Sequence, residues 1–208
     1  AKQTLPDNIS TAWSGVSFQE SRASKSGFMV YLIALVFVFL ALASLYNSWG
    51  LPVAILLSVP IAVLGAVVSV GAMHLVDAKY VNDIYMQISL VMLIGLAAKN
   101  AILIVEYADR IFFEQGASLA DAALEAAKMR VRPILMTAFA FVLGVMPLVF
   151  ADGVYATARN IMGIALVGGM ALATVVGVLL YPALYYAIAK IGGFERKREK
   201  LKKDENES

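Results

Sequence analysis

One lysine in the sequence lies where a charge is costly, and it is the first candidate for chemistry. Lys99 and the adjacent Asn100 lie in the run SLVMLIGLAAKNAILIVEYA, which is apolar on both sides of them. Counted back from Glu106 with the rise of an α-helix, Lys99 lies about 10 Å inside the apolar segment. A charge at this depth costs on the order of 2–3 kcal/mol, even on the lenient insertion scale. A functional cation is one explanation, and a lysine whose ammonium snorkels to the membrane surface is the other.

Arg130 and Thr137 form a second pair of candidates. They are seven residues apart in the sequence, so they share a face if one helix contains both. Pro133 lies between them, and proline suits the first turn of a helix better than its interior, so a break there is the alternative. Two plainer roles also remain open. Arg130 is interpretable as a positive anchor at the cytoplasmic surface, and Thr137 as a side chain bonded to its own helix.

The apolar segments contain no carboxylate that could neutralise a buried lysine. Glu106 follows the third segment, and no Asp or Glu lies within any of the five. A lysine inside a membrane normally pairs with a carboxylate or faces a watery cavity. The sequence therefore predicts that the partner of Lys99 belongs to a segment outside these residues, and that the chain is part of a larger bundle.

Other kinds of site are not predicted. The sequence has no cysteine and a single histidine, His74, which we interpret as structural, so a metal site is not expected. We find no paired serine nucleophile and histidine, no two aspartates within spans and no phosphate-binding glycine loop. These features argue against an enzyme and against direct use of ATP.

The composition is that of a membrane protein. Apolar residues make up 61% of the chain and charged residues 15%, whereas soluble domains are roughly half apolar and a quarter charged. Five apolar runs reach the roughly 18 residues that a spanning helix needs, and lipid offers the backbone no other hydrogen-bond partners. We predict an all-α membrane protein with five transmembrane helices plus one amphipathic helix at the cytoplasmic surface. The predicted spans are residues 28–46, 51–76, 84–105, 134–151 and 161–189, and the surface helix is residues 117–131.

The basic residues predict the orientation. Lysine and arginine are concentrated in the loop between the third and fourth spans and in the C-terminal tail. Because basic loops stay in the cytoplasm, five spans then place the N-terminus outside and the C-terminus inside. Residues 27–190 would form the transmembrane bundle, and residues 191–208 a solvated, disordered charged tail. The polar opening has no signal-peptide pattern, and we interpret it as the end of a preceding region.

Two stretches closely resemble the resistance–nodulation–division (RND) superfamily, in particular hydrophobe/amphiphile efflux pumps of the AcrB type. They are GLAAKNAILIVEYA and MRVRPILMTAFAFVLGVMPL, and LYNSWGLPVAILLSVPIAVLGA and NIMGIALVGGMALATVV also fit, so the resemblance covers nearly the whole chain. The opening WSGVSFQES resembles the end of the last periplasmic porter strand, which makes residues 1–26 the expected end of a periplasmic porter domain. Because members of this family have twelve spans, the resemblance implies that this chain is a C-terminal fragment.

The resemblance also implies a function and a set of site residues. Such pumps are secondary transporters of the bacterial inner membrane that couple inward proton flow to drug export, without a cofactor. Lys99 matches a lysine that pairs with two aspartates of the N-terminal half, and Asn100, Arg130 and Thr137 match other residues of this proton relay. The implied partners are membrane lipid, the N-terminal half with its aspartate pair, two further copies in a homotrimer, a periplasmic adaptor, an outer-membrane channel and amphiphilic drugs, with no nucleic acid.

Two alternatives remain at the level of sequence. One is a non-transporting interaction module, or a truncated product, that packs through small-residue faces such as Ala165, Gly169, Ala173 and Gly177. The other is a relative that moves a different substrate, such as lipid or protein. The drugs themselves are not predictable, because specificity in this family resides in periplasmic domains.

Overall fold

The computed structural model describes residues 16–46, 49–80, 83–153 and 155–194, and these residues form α-helices without any strand. The helices are α1 (Val16–Tyr46), α2 (Gly50–Leu56), α3 (Val59–Val76), α4 (Ile84–Glu114), α5 (Leu119–Val149) and α6 (Ala156–Ile191). Four segments are long and apolar enough to cross a membrane, namely α2 with α3, α4, α5 and α6, and α1 has a shorter apolar part, Tyr31–Tyr46. The predicted all-α membrane fold is confirmed.

The second predicted span consists of two helices rather than one. α2 ends at Leu56 and α3 begins at Val59, and the hydroxyl of Ser58 between them donates a hydrogen bond to the carbonyl of Ile55. Pro60 is in the first turn of α3, where its missing N–H does not interrupt an existing helical bond. The proline therefore fixes the start of a new helix within the apolar segment.

The predicted surface helix, residues 117–131, and the predicted fourth span, residues 134–151, form one continuous helix, α5. Its N-terminus is capped by Ser118, whose hydroxyl oxygen accepts the backbone N–H of Asp121 at 3.2 Å. The helix continues through Pro133 because packing holds it on both sides: Ala126 before the proline and Ile134 after it are fully buried in the same core. The amphipathic segment is thus the first part of α5 and not a separate helix.

α6 lies at the centre of the bundle and packs against α3, α4 and α5. Its small residues Ala165, Gly169, Ala173 and Gly177 are all buried, as expected for close helix packing. The approach to α3 is very close. A Cβ atom added at Gly65 of α3 would lie 2.7 Å from the carbonyl oxygen of Gly168.

Two predicted regions lie mainly outside the described residues. Of residues 1–26, those from Val16 onward belong to α1, so the described part of WSGVSFQES is helical and the expectation of a strand end is wrong there; the earlier residues are outside the described part. The predicted charged tail, residues 191–208, is outside it from residue 195 onward. The assignments to a periplasmic domain and to a disordered tail therefore stay predictions.

Candidate functional site

Lys99 lies midway along α4, on a face that the rest of the described chain leaves uncovered. Its side chain is exposed, and so are those of Ile88 and Met92, which share its side of the helix. The ion pairs within the described ranges join Lys79 to Asp77 and Arg110 to Glu114, and Lys99 takes part in neither. The site therefore presents a cation amid apolar side chains on an open helix face.

Asn100 points into the core, away from the face that bears Lys99. It is 0% exposed, and the neighbouring core residues Ala101 and Ile104 are equally buried. Neither its amide nitrogen nor its amide oxygen has a hydrogen-bond partner in the described part of the chain. A buried polar group without partners costs roughly 1–3 kcal/mol. The structure therefore brings Asn100 to the level of Lys99 but not to the same surface.

Arg130 contacts an aromatic ring that the sequence analysis did not predict. Its guanidinium carbon Cζ lies 4.6 Å from the centroid of the Tyr107 ring, which is a cation–π contact between α5 and α4. The Nε atom of Arg130 is buried and has no hydrogen-bond partner among the described residues. Nothing in the sequence marked Tyr107, because the contact joins two helices and becomes visible only once they are packed.

Thr137 follows Arg130 by two turns, and the continuity of α5 places both residues on one side of this helix. Its side chain is exposed, and its hydroxyl donates a hydrogen bond to the carbonyl of Ile134 at 3.0 Å. The bond to its own helix, one of the two roles considered for this residue, is thus present. The hydroxyl oxygen retains its capacity to accept a further hydrogen bond.

The short loop between α4 and α5 allows the depths of the candidate residues to be compared. α4 and α5 are joined by a short loop and run in opposite directions. Seven residues back along α4 from Tyr107 is Asn100, and seven residues forward along α5 from Arg130 is Thr137, each a step of about 10 Å. Counted from the loop, Lys99 lies about 22 Å back along α4 and Thr137 about 27 Å forward along α5, so the two are at similar depth, and Arg130 lies about two turns nearer the loop.

The loop after α3 contains ionisable groups that, unlike Lys99, are paired with each other. Asp77 and Lys79 form an ion pair with a 2.8 Å separation of Oδ2 and Nζ. Hydrogen bonds from Lys79 lower the pKa of Asp77, and the same contact raises the pKa of Lys79, so both stay charged near neutral pH. Nδ1 of His74 lies 2.8 Å from the carbonyl oxygen of Tyr80, a structural bond that holds this loop to α3. Across the described residues, no group of three potential ligands is arranged to hold a metal ion.

Comparison with known proteins identifies relatives of this chain. The family model described as AcrB/AcrD/AcrF family matches residues 1–189. The toluene efflux pump membrane transporter TtgB of Pseudomonas putida is 42% identical over 189 residues, which cover 91% of this chain and 17% of the relative. The multidrug resistance protein MdtF of Escherichia coli (strain K12) is 44% identical over 184 residues, covering 88% and 17%. TtgE, another toluene efflux pump membrane transporter of Pseudomonas putida, is 40% identical over 197 residues, covering 95% and 18%.

The chain spans less than a fifth of the length of these relatives, each of which is matched over 17–18% of its own sequence. Their names describe transporters and resistance proteins rather than enzymes. Together with the long apolar helices, this similarity indicates a multi-pass protein of the inner membrane. Because the family model matches 189 of the 208 residues, the chain belongs to the AcrB/AcrD/AcrF family of the RND superfamily.

Proposed function

We propose that this chain forms the C-terminal transmembrane part of a proton-driven multidrug efflux transporter, which exchanges protons for drugs. The observation that supports it best is Lys99, an exposed cation midway along an apolar helix with no ion-pair partner in the described part of the chain. A lysine in this position normally pairs with a carboxylate or faces a watery cavity. The names of TtgB and MdtF, which refer to toluene efflux and to multidrug resistance, support export as the activity.

The proposed mechanism is an electrostatic switch at Lys99. When carboxylates on the remaining helices are ionised, they attract the ammonium strongly, because the membrane interior is a medium of low dielectric. Binding of a proton removes that attraction, so the uncovered face of α4 is free to move relative to the helices that cover it. The energy comes from the proton gradient, and the mechanism needs no cofactor.

The other three residues have distinct roles in this proposal. Arg130 contributes a fixed positive charge. Thr137 offers a hydroxyl on an exposed face at the depth of Lys99. Asn100 offers a buried amide with unused donors and acceptors, suited to holding a water molecule within the bundle.

The orientation and the partners belong to the same proposal. The basic residues on either side of the α4–α5 loop, Arg110 in α4 and Lys128, Arg130 and Arg132 in α5, mark the cytoplasmic side, which places the N-terminus in the periplasm and the C-terminus in the cytoplasm. The uncovered face of α4 contacts an N-terminal half that carries the aspartate pair. The assembled transporter is a homotrimer that works with a periplasmic adaptor and an outer-membrane channel, and its substrates are amphiphilic compounds.

Substitution of Lys99 in the complete transporter tests this proposal. We expect Lys99→Ala to abolish drug export while the protein still inserts in the membrane, because the carboxylates lose the cation that senses their charge. Lys128→Ala is the matched control, since Lys128 is an exposed lysine near the start of α5. Export is followed as drug resistance and as efflux of a fluorescent substrate from cells. Normal resistance in Lys99→Ala at ordinary expression would contradict the proton-relay role.

A further inference from the structure

We propose that Tyr107 is a positioning residue whose aromatic ring holds the Arg130 guanidinium between α4 and α5. This inference rests on the proposed function only in giving Arg130 a part in the proton relay. The contact itself is observed: Cζ of Arg130 lies 4.6 Å from the ring centroid, and both side chains are half-buried. Neither residue is near the other in sequence, so the contact depends on the packing of the two helices.

The direction of the side chains explains why Arg130 needs such a residue. Side chains of an α-helix lean toward its N-terminus. The N-terminus of α5 is at the α4–α5 loop, so an unrestrained Arg130 would extend toward that end and its water. The side chain of Tyr107 leans the opposite way, toward Lys99, because α4 runs antiparallel to α5. The ring therefore meets the guanidinium inside the bundle and keeps it from leaving.

The contact between Tyr107 and Arg130 is a cation–π contact rather than an ion pair, and this affects what Arg130 can still bind. A guanidinium has five N–H donors, and an aromatic face attracts its charge without accepting those hydrogen bonds in the plane. In the described ranges, Arg130 forms no ion pair, and its buried Nε has no hydrogen-bond partner. A carboxylate in place of Tyr107 would neutralise the cation and occupy its donors. The tyrosine ring fixes Arg130 and leaves its charge and donors available to groups nearer Lys99.

Chemical labelling of arginine tests the positioning directly. Phenylglyoxal reacts with accessible guanidinium groups, and mass spectrometry of the purified complete transporter in lipid nanodiscs measures the rate at each arginine. Arg132, exposed and two residues further along α5, is the internal control. We expect Arg130 to react several-fold more slowly than Arg132 in the wild type and in Tyr107→Phe, which keeps the ring. Tyr107→Met, which loses the ring, should raise the rate at Arg130 about three- to five-fold, because the cation–π contact is lost.

Export measurements form the second arm. Tyr107→Met should lower efflux, and Tyr107→Phe should restore it, since the ring and not the hydroxyl contacts Arg130. Equal labelling of Arg130 and Arg132 in the wild type overturns the proposal even if Tyr107→Met does not insert, and so does an unchanged rate in that variant. Loss of export in Lys99→Ala with unaltered labelling in Tyr107→Met would overturn only this inference. Normal export in Lys99→Ala would count against the proposed function alone.

Discussion

At the scale of single residues, two neighbours on α4 face opposite environments. Lys99 is exposed on the uncovered face, whereas Asn100 is fully buried among apolar side chains. Consecutive residues of a helix point about 100° apart, so one segment supplies both surfaces. The cation is thereby available to other helices, and the amide sits within this bundle at the same depth.

Replacing Asn100 by leucine should stabilise the transporter and impair it. Leucine removes two buried polar atoms that lack partners in the described part of the chain, and such atoms cost roughly 1–3 kcal/mol. We therefore expect a higher melting temperature in detergent together with reduced efflux, because the proposed water site is lost. Leu93→Ile, an apolar exchange at another fully buried position of α4, is the control; repacking there should cost less than about 1.5 kcal/mol, so it should not raise the melting temperature. A lower melting temperature in Asn100→Leu would show that the amide is satisfied in the complete protein.

The hydroxyl of Thr137 should matter less than the charge of Lys99. Thr137→Val keeps the branched shape and removes the hydroxyl, whose hydrogen bond is worth about 1 kcal/mol, so efflux should fall by roughly five-fold. Thr137→Ser keeps the hydroxyl and should export at nearly the wild-type rate. Initial rates of efflux from energised cells measure both variants. Equal rates in Thr137→Val and the wild type would remove Thr137 from the relay.

At the scale of elements, the contact between α3 and α6 depends on the absence of side chains. A Cβ atom at Gly65 would lie 2.7 Å from the backbone oxygen of Gly168, and also 2.7 Å from Cβ of Leu172. Backbone cannot give way as a flexible side chain does, so α3 and α6 would have to move apart. A larger residue at this position would therefore weaken the pairing of these two helices.

The matched pair Gly65→Ala and Gly71→Ala tests this packing. Gly71 is on the same helix, and a Cβ atom there meets nothing within 4 Å. We expect Gly65→Ala to destabilise the bundle by about 1–3 kcal/mol through overpacking. Gly71→Ala should be neutral or slightly stabilising, because alanine has the higher helix propensity. Thermal unfolding of the purified protein, followed by size-exclusion chromatography, compares the two, and equal melting temperatures would contradict the close approach.

The sequence predicted the helical spans well and their interruptions poorly. Long apolar runs require helices in lipid, so α4 and α6 follow directly from composition. Two prolines have opposite effects on the helices: α3 begins next to Pro60, whereas α5 continues through Pro133. The difference lies in tertiary packing, since residues before and after Pro133 are buried in one core. Lys99 could be predicted because the free-energy cost of a charge in an apolar helix is evident from the sequence of that helix alone. Tyr107 could not be predicted, because its contact with Arg130 requires a second helix.

At the scale of the whole molecule, the proposed function predicts that some of the uncovered surfaces contact the rest of the transporter. The face of α4 with Lys99 is open, and most of the spanning part of α5 is open too, including Phe139 and Leu143. The exposed side of α6 is different, because Val175 and Leu179 present only apolar groups. Lipid suits the exposed side of α6 but not the face of α4 with Lys99, since a charge within lipid is costly.

Spin labels distinguish these two surfaces in the complete transporter. The chain has no cysteine, so Met92→Cys and Leu179→Cys each add a single attachment site to it. Both positions are exposed in this chain, by 52% and 78% respectively, but only Met92 shares the face of Lys99. In a transporter otherwise free of cysteine, a nitroxide at 92 should collide rarely with dissolved oxygen, and one at 179 frequently. Frequent collisions at 92 in electron paramagnetic resonance would show that lipid covers this face.

In the proposed transporter, the continuous helix α5 would act as a lever. Its 31 residues form a rod about 46 Å long. Ser118 caps the N-terminus of this helix, and its C-terminal half contains Thr137, at a depth similar to that of Lys99. A tilt of about 5° around the middle of such a rod would displace each tip by roughly 2 Å. If the proposed proton relay is correct, a rearrangement near Lys99 and Thr137 would be transmitted along α5 to the loop that joins α4 and α5, and a molecule that binds this loop tightly would slow transport.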